Sequence, residues 1–149
     1  MEKFGCPEAV VGAFVLNNDG DLLLVRSKKW PELYSVPGGH IEMGESIGKA
    51  VKRETKEETG LDVKLVKVIN LQEAIYPKAF HRKAHFIFID ALCRTRSAKV
   101  KLDNMELYDY MWVKPKASLK LKLNTYTRRS ILQLVNRRIM DKWFYANAK

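Results

Sequence analysis

The distribution of hydrophobic and polar residues predicts a pair of strands near the start of the chain. Residues Val10–Leu16 form an almost continuous apolar run, which is typical of a buried strand. The segment Asn17–Gly20 reads NNDG, a turn sequence, and Asp21–Ser27 is the expected second strand of a hairpin. Residues 28–46 are rich in proline and glycine, so we expect a loop there.

A helix is predicted at Ile47–Thr59, after this loop. Ser46 precedes it as a favourable N-cap, and Gly60 follows as a residue that commonly ends helices. Three further strands are predicted, at Val63–Ala74, Ala84–Arg94 and Tyr108–Val113.

The last predicted element is a helix at Thr127–Met140, because its apolar residues recur at helical spacing. These residues are Ile131, Leu134, Val135 and Ile139. Strands therefore precede and follow an internal helix, and a second helix closes the chain. This order is typical of an α/β fold with a mixed sheet and helices packed on its faces.

The composition indicates one domain with its own core, spanning residues 1–149, since 46% of the residues are hydrophobic. The two cysteines, Cys6 and Cys93, form no CxxC motif, so neither a disulfide framework nor a zinc knuckle is indicated. The longest apolar run, Ala9–Leu16, is too short to span a bilayer. The first residues, MEKFGCPEA, lack the apolar segment of a signal peptide. We therefore expect a soluble cytoplasmic protein.

Charge is unevenly distributed in this basic chain, whose net charge is +10. Residues 1–62 hold 8 Lys/Arg and 11 Asp/Glu, a net of −3, whereas residues 63–149 hold 19 and 6, a net of +13. A basic half favours anionic partners such as nucleotides or nucleic acid. The alternative is a solubilising surface, because segments such as KLVKV alternate lysine with apolar residues as a half-buried strand does.

The predicted helix carries the densest group of acids in the chain: Glu54, Glu57 and Glu58. At 100° per residue they share an arc of about 120° with the apolar residues of the helix, while its lysines lie opposite. Two partly buried carboxylates about 5.5 Å apart repel by about 3 kcal/mol, so they either protonate or bind a cation. Oxygen ligands suit Mg²⁺ or Mn²⁺. The alternative is an exposed acidic helix end, braced by Arg53 and Glu57 at (i, i+4).

The residues before this helix add two glycines and a further acid. Gly38 and Gly39 stand just ahead of Glu45, and a glycine lets a backbone carbonyl approach a metal ion closely. From Gly39 five residues lead to Glu45, and seven more lead to RETKEETGL, residues 53–61. This pattern, Gly39–Leu61, resembles the signature of the Nudix hydrolase family, which is called the Nudix box. Thr55 stands where the family prefers an aliphatic residue, so we expect slightly different packing there and intact chemistry.

The resemblance implies a fold and a reaction. Nudix enzymes are α/β/α sandwiches with a mixed sheet, and they hydrolyse a diphosphate linkage in nucleoside diphosphate derivatives. By the same resemblance, Glu54, Glu57, Glu58 and the carbonyl of Gly39 would hold Mg²⁺ or Mn²⁺. Arg53 would hold a glutamate in place for catalysis.

The resemblance leaves the catalytic base open between Glu54 and Glu106, either of which would take a proton from the attacking water. Asp103 and Asp109 are rivals of Glu106, since all three precede or lie in the strand that contains Trp112. Glu45 would be an auxiliary acid near the metal ions.

The substrate beyond the diphosphate is indicated less directly. ADP-ribose hydrolases of this family typically carry a proline near the position of Pro77, so the resemblance leans to ADP-ribose-like or nucleoside triphosphate substrates. Arg82 and Lys83 are candidates to bind phosphate, and an exposed basic loop is the alternative. The candidates to stack on a base are Tyr34, Trp30 and Phe80, and the alternative is that the first two cover the core.

Two other classes of function compete with a hydrolase of small nucleotides. The first is an RNA 5′-end or cap-directed enzyme that uses the basic half, but Arg128–Arg129 and Arg137–Arg138 lie on a predicted helix without interleaved aromatic residues. The second is a Nudix-fold protein that binds RNA without activity, which the complete set of box glutamates disfavours. We expect a small-molecule nucleotide as substrate and no membrane partner, and we leave a homodimer open.

Overall fold

The computed structural model describes residues 5–136 and contains a mixed sheet with helices on both faces. Its strands are β1 (Glu8–Leu16), β2 (Leu22–Ser27), β3 (Tyr34–Ser35), β4 (Gly38–His40), β5 (Lys64–Ile75), β6 (His85–Arg94) and β7 (Leu107–Val113). Its helices are α1 (Ile47–Thr59), α2 (Pro115–Ser118) and α3 (Thr125–Val135).

Strand β1 lies inside the sheet and determines its mixed character. It runs parallel to β6 along its whole length, from the pair Glu8 and Phe86 to the pair Leu16 and Arg94. Strand β5 pairs with the other edge of β6 in antiparallel orientation, and β7 pairs antiparallel with β2. The sheet therefore combines parallel and antiparallel pairs, as the order of elements predicted.

The hairpin predicted at β1 and β2 opens almost immediately after its turn. The two strands pair only at Leu16 and Leu22 and then separate. Strand β4 pairs with β1, and β3 pairs with β2, because the backbone groups that the separation leaves unpaired need partners. The prediction that residues 28–46 form only loop was therefore wrong, since two short strands lie there. Residues of all four of these strands, β1 to β4, line a cavity.

Alternating residues of β1 build two apolar layers, one on each face of the sheet. Val11, Ala13 and Val15 pack in the same cluster as Ala50 and Val51 of α1. On the opposite face, a second cluster joins β1 and β2 to α3. Its contributors are Phe14, Leu16, Leu22, Leu24, Ile131 and Leu134. The chain is therefore an α/β/α sandwich, as predicted.

Local capping fixes where the two main helices begin. The Ser46 side chain accepts a hydrogen bond from the backbone N–H of Lys49, and Gly60 ends α1 with a φ of 73°, so both predicted ends of this helix are confirmed. Helix α3 begins at Thr125, earlier than predicted, because Asn124 caps it. It ends at Val135, because Asn136 is extended, so the prediction that the helix continues through Asn136 was wrong. The predicted residues Ile139 and Met140 lie outside the described residues.

Candidate active site

The three glutamates of α1 differ in exposure. The Glu58 residue is 3% exposed, and the Glu54 side chain is 14% exposed, so both turn inward as predicted. The Glu57 side chain is 60% exposed, so the prediction that it also turns inward was wrong. The cause is that Thr55 and Thr59 are fully buried, which moves the centre of the inward face away from Glu57.

The buried threonines satisfy their hydroxyl groups within the helix. Thr55 Oγ1 donates to the carbonyl of Val51 at 2.7 Å, and Thr59 Oγ1 donates to the carbonyl of Thr55 at 2.6 Å. A buried hydroxyl without a partner would destabilise the fold, and these bonds remove that cost. The threonine at position 55 is therefore compatible with a buried position that is aliphatic in the family.

Arg53 gathers the acids around one guanidinium group. Its Nε and Nη2 donate to the two carboxylate oxygens of Glu45 at 2.8 and 2.9 Å. Its Nη1 donates to Glu54 at 2.8 Å and to Glu57 at 3.4 Å. A further bond reaches the carbonyl of His40 at 2.9 Å. These bonds fix the direction of the guanidinium, and through it the side chains of Glu45 and Glu54.

The same contacts keep Glu45 ionised. Hydrogen bonds from Arg53, and then from the backbone N–H of Glu42, lower the pKa of Glu45 to about 2. Glu45 therefore remains a fixed anion that orients Arg53.

Gly39 lies directly against the carboxylate of Glu54. In β4 it pairs with Val11 of β1. A Cβ atom at position 39 would stand 2.4 Å from Cδ of Glu54, far inside a contact distance. The absence of a side chain is therefore what allows the Glu54 carboxylate to lie against the backbone of β4.

Glu58 and Glu106 form an acidic border beside a cavity of about 310 Å³, and both line it. Burial, followed by the charges of Glu54 and Glu106, raises the pKa of Glu58 to about 9. Glu106 is held by Lys29, whose Nζ lies 2.9 Å from its carboxylate. The strand β7 begins at the residue after Glu106, so its start positions this acid at the cavity.

The two rivals of Glu106 have other roles. Asp103 Oδ1 accepts hydrogen bonds from the backbone N–H groups of Met105, Glu106 and Leu107, so it shapes the turn before β7. Asp109 accepts from the N–H of Tyr110 and lies in β7 opposite Arg26. Glu106 lines the cavity, whereas neither aspartate is among the residues that line it.

The donors around Arg53 fit a hard divalent cation in their chemistry. Glu54, Glu57 and Glu58 offer only carboxylate oxygens, and the glycine at position 39 lets the Glu54 carboxylate lie against the backbone of β4. Across residues 5–136 no three His, Cys, Asp or Glu side chains converge as a ready ligand set. Glu54 and Glu57 pair with Arg53 instead. A bound cation would therefore compete with the Arg53 guanidinium for the carboxylate oxygens of Glu54 and Glu57.

Aromatic side chains form the walls of the cavity. Ring centroids lie 4.8 Å apart for Trp30 and Phe80, and 5.4 Å apart for Phe88 and Tyr126. Phe86 stacks on Phe88 at 5.3 Å. Trp30 and Phe80 were predicted to stack on a base, and both line the cavity. Phe88 and Tyr126 were missed, because Phe88 lies in a predicted buried strand and Tyr126 stands directly before the predicted helix.

Arg82, a predicted phosphate ligand, lines the cavity but already has a partner. Its guanidinium donates to both oxygens of Glu8 at 2.8 and 3.0 Å. It also lies 5.4 Å from the ring centroid of Phe80. Hydrogen bonds from Arg82 lower the pKa of Glu8 although partial burial acts in the opposite direction. Phosphate binding by Arg82 stays a prediction, and it would have to compete with Glu8.

The other three predicted substrate residues are not among those that line the cavity. Lys83 places its Nζ 4.4 Å from the ring centroid of Tyr76. The Pro77 carbonyl accepts from the N–H of Phe80 and so closes a turn. Tyr34 packs with the α3-side apolar cluster, under the guanidinium of Arg26.

The comparison with known families covers nearly the whole described chain. The model of the NUDIX domain matches residues 7–135. The chain belongs to the Nudix hydrolase family. The match includes α1 and the loop before it, so the resemblance predicted from the sequence is confirmed.

Relatives with curated names agree with this family. Nudix hydrolase 5 of Arabidopsis thaliana is 33% identical over 107 residues, which are 69% of this chain but 35% of that protein. This Nudix chain therefore spans about a third of the length of the Arabidopsis protein. The nucleoside triphosphatase NudI of Escherichia coli (strain K12) is 28% identical over 127 residues, which are 78% of this chain and 89% of NudI.

Solved structures confirm the predicted fold. The MutT protein from Methanosarcina mazei Go1 superposes with a TM-score of 0.70 at 24% identity, covering 99% of this chain and 100% of that one. The E. coli dihydroneopterin triphosphate pyrophosphohydrolase superposes with a TM-score of 0.71 at 17% identity, covering 87% and 97%. At these identities the likeness shows the Nudix fold alone.

Proposed function

We propose that this Nudix hydrolase splits a diphosphate linkage in a small nucleotide and that it requires Mg²⁺ or Mn²⁺. The observation that carries the proposal is the group of acids around Arg53 and Gly39, beside a cavity with aromatic walls. Aromatic rings stack on nucleobases, and carboxylates bind the cations that accompany phosphates. The match over residues 7–135 supports a single Nudix domain for the whole chain, residues 1–149.

In this proposal each acid of the box has a role. Glu54, Glu57, Glu58 and the carbonyl of Gly39 would hold the cation, and Arg53 would orient Glu54. When bound, a divalent cation neutralises phosphate oxygens and lowers the pKa of a coordinated water. Glu45 would keep Arg53 in position through its two hydrogen bonds.

Nucleoside triphosphates are the substrates that the observations favour. NudI of E. coli is named a nucleoside triphosphatase, and its similarity extends over most of this chain. The prediction of ADP-ribose-like substrates depended on Pro77, which is not among the residues that line the cavity. Arg128 argues against the RNA-directed alternative, because its guanidinium already donates to the carbonyls of Leu119 and Leu121. Arg137 and Arg138 lie outside the described residues.

The experiment is a substrate panel read by product mass. Nucleoside triphosphates, ADP-ribose and a triphosphorylated RNA are each incubated with Mg²⁺, with Mn²⁺ or with EDTA. We expect cleavage of nucleoside triphosphates between phosphorus atoms with either metal and no cleavage with EDTA. Turnover that persists in EDTA, or no turnover of any nucleotide, would contradict the proposal. A preference for the RNA would favour the alternative class.

We assign the general base to Glu106. In the reaction, the oxygen of water bonds to one phosphorus and the water proton passes to the carboxylate. The bridging P–O bond breaks, and its electron pair stays on the leaving phosphate. Glu106 lines the cavity, and its partner is Lys29 rather than Arg53, which holds Glu54. The Glu106 carboxylate therefore pairs with a residue outside the Nudix box, whereas the Glu54 carboxylate is hydrogen-bonded to Arg53 within it.

Replacement of Glu106 by glutamine is expected to lower kcat by roughly 10²- to 10⁴-fold, because the amide accepts no proton from water. Steady-state kinetics should show little change in KM. Asp109→Asn is the matched control, because it removes one carboxylate from β7 outside the cavity lining. If Glu106→Gln keeps the kcat of the unchanged enzyme, Glu106 is not the base.

We propose a cytoplasmic location. Within the described residues the free cysteines are Cys6, which is exposed, and Cys93, which is buried, as suits a reducing compartment. Among residues 5–136 the helices fall short of the length and apolar character that a bilayer crossing requires. A homodimer stays a prediction, since the structure describes one chain.

A further inference from the structure

A buried carboxylate lies among the aromatic walls of the cavity. Asp90 of β6 alternates with Phe86 and Phe88, so all three share one face of the strand. It is 5% exposed, and it lines the cavity. The proposed hydrolysis gives this residue no role. A buried carboxylate lowers the stability of the fold unless its oxygens accept hydrogen bonds. The hydrogen-bond partners of Asp90 therefore show which of its oxygens can bind a ligand.

The two oxygens of Asp90 have different surroundings. Oδ2 accepts from Gln72 Nε2 at 2.9 Å and from Ser130 Oγ at 2.6 Å. Oδ1 makes no hydrogen bond to any residue within 5–136. One oxygen is thus fixed by β5 and α3, while the other keeps two lone pairs for a ligand.

Gly12 keeps the space around the free oxygen open. A Cβ atom at this position of β1 would lie 2.5 Å from Asp90 Oδ1. Gly12 pairs with Asp90 on one side and with Gly38 on the other. Asp90 is therefore two strand spacings, about 10 Å, from Gly38, which directly precedes Gly39 of the Nudix pattern. This separation leaves room for a sugar between a base at Asp90 and phosphates at the acidic border.

We propose that Asp90 recognises guanine, with Oδ1 accepting hydrogen bonds from the ring N1–H and the exocyclic amino group. This assignment rests on the proposed hydrolysis of nucleotides. A carboxylate only accepts, and guanine presents two adjacent donors to it. Adenine and cytosine place an acceptor nitrogen beside the amino group, and the N–H of uracil or thymine lies between two carbonyl oxygens. Those edges repel a carboxylate.

The ionisation of Asp90 agrees with this role. Burial raises its pKa to about 6, although hydrogen bonds from Ser130 and Gln72 act in the opposite direction. At pH 8 the carboxylate is therefore an acceptor. The aromatic walls, which include Phe88 and Tyr126, supply stacking for the two rings of a purine.

The test compares substrates that differ by one group. dITP has the ring N–H of dGTP but lacks the amino group, and dATP reverses the donor and acceptor at this edge. At pH 8 with Mg²⁺ we expect kcat/KM for dGTP to exceed that for dITP by roughly 10- to 100-fold, the usual effect of a hydrogen bond to a charged group. The preference over dATP should be larger. Titration calorimetry with GDP and IDP measures the same discrimination without turnover.

The variant Asp90→Asn tests the residue itself. The amide should lower kcat/KM for dGTP and bring the dGTP to dITP ratio close to one. Asp62→Asn is the matched control, because the side chain of Asp62 is 89% exposed and pairs with Lys56 away from the cavity. Equal kcat/KM for dGTP and dITP, or an unchanged ratio in a folded Asp90→Asn protein, would overturn the assignment.

The outcomes separate this assignment from the proposed function. Metal-dependent hydrolysis of nucleotides without a preference for dGTP would contradict the role of Asp90 alone. Tighter binding of GDP than IDP with no hydrolysis would support Asp90 and contradict the proposed function. The substrate comparison needs no variant, so it decides even if Asp90→Asn fails to fold.

Discussion

Replacing Glu57 by glutamine is expected to lower kcat/KM by roughly 10³-fold, about 4 kcal/mol of transition-state stabilisation, while the protein stays folded. An amide oxygen is neutral and binds a divalent cation less strongly than a carboxylate. The Glu57 side chain is 60% exposed, and its hydrogen bond from Arg53 is long, at 3.4 Å. Its loss should therefore change the melting temperature little. Steady-state kinetics with Mg²⁺ and a thermal melt measure the two effects.

This variant decides between the two interpretations of the acidic helix. If the acids are only an exposed helix end braced by Arg53, a surface ion pair of this kind contributes about 0–1 kcal/mol of stability and nothing to catalysis. Glu42→Gln is the matched control, because Glu42 is an exposed acid in the loop before the same helix. Activity of Glu57→Gln close to that of Glu42→Gln would exclude Glu57 as a ligand. Glu58 is a poorer choice for this substitution, because it is buried and a change of its ionisable group would also change the free energy of unfolding.

The elements that the sequence predicted well depend on local interactions. Helix α1 begins and ends where Ser46 and Gly60 indicate, because capping involves residues within one turn. Strand β6 follows from a long apolar run. The Nudix pattern predicted the group around Arg53 for the same reason, since Glu45 and the helical acids are close in the chain and fold onto one guanidinium.

The cavity could not be predicted, because it depends on contacts between distant segments. The hairpin pattern gives no sign that β1 and β2 separate after Leu16 and Leu22. Asp90 acquires its role from Gln72 and Ser130, which are 18 and 40 residues away in the chain. One signal was present in the sequence: an aspartate inside an apolar strand, on the face of two phenylalanines. A carboxylate in that position needs a partner or a function.

The exposure of Glu57 illustrates how one residue changes a periodic pattern. Taking only apolar residues as inward places Glu57 at the edge of the buried arc. Thr55 and Thr59 are buried as well, because their hydroxyls bond to carbonyls of the same helix. The inward face is therefore wider on the threonine side, and Glu57 falls outside it. A polar side chain whose hydrogen bonds are made within its own helix can pack in the core as an apolar side chain does.

Replacing Gly39 by alanine is expected to lower kcat/KM by roughly 10²-fold, the usual effect of displacing a functional group by about 1 Å. The new methyl group would lie 2.4 Å from Cδ of Glu54. Glu54 cannot yield freely, because Arg53 holds it at 2.8 Å and Glu45 in turn holds Arg53. Gly39 has no positive φ, so alanine fits its backbone and the fold should persist. Kinetics and a thermal melt of the same sample measure both.

Gly48→Ala provides the matched control for this substitution, because it adds the same methyl group one element away. Gly48 lies in α1, and its new Cβ would be 3.4 Å from the flexible end of Leu65. Alanine favours a helix over glycine by up to about 1 kcal/mol, so this variant should melt slightly higher and keep full activity. Full activity of Gly39→Ala would show that the Glu54 carboxylate moves without cost. The close approach of β4 to α1 would then be a packing feature with no part in catalysis.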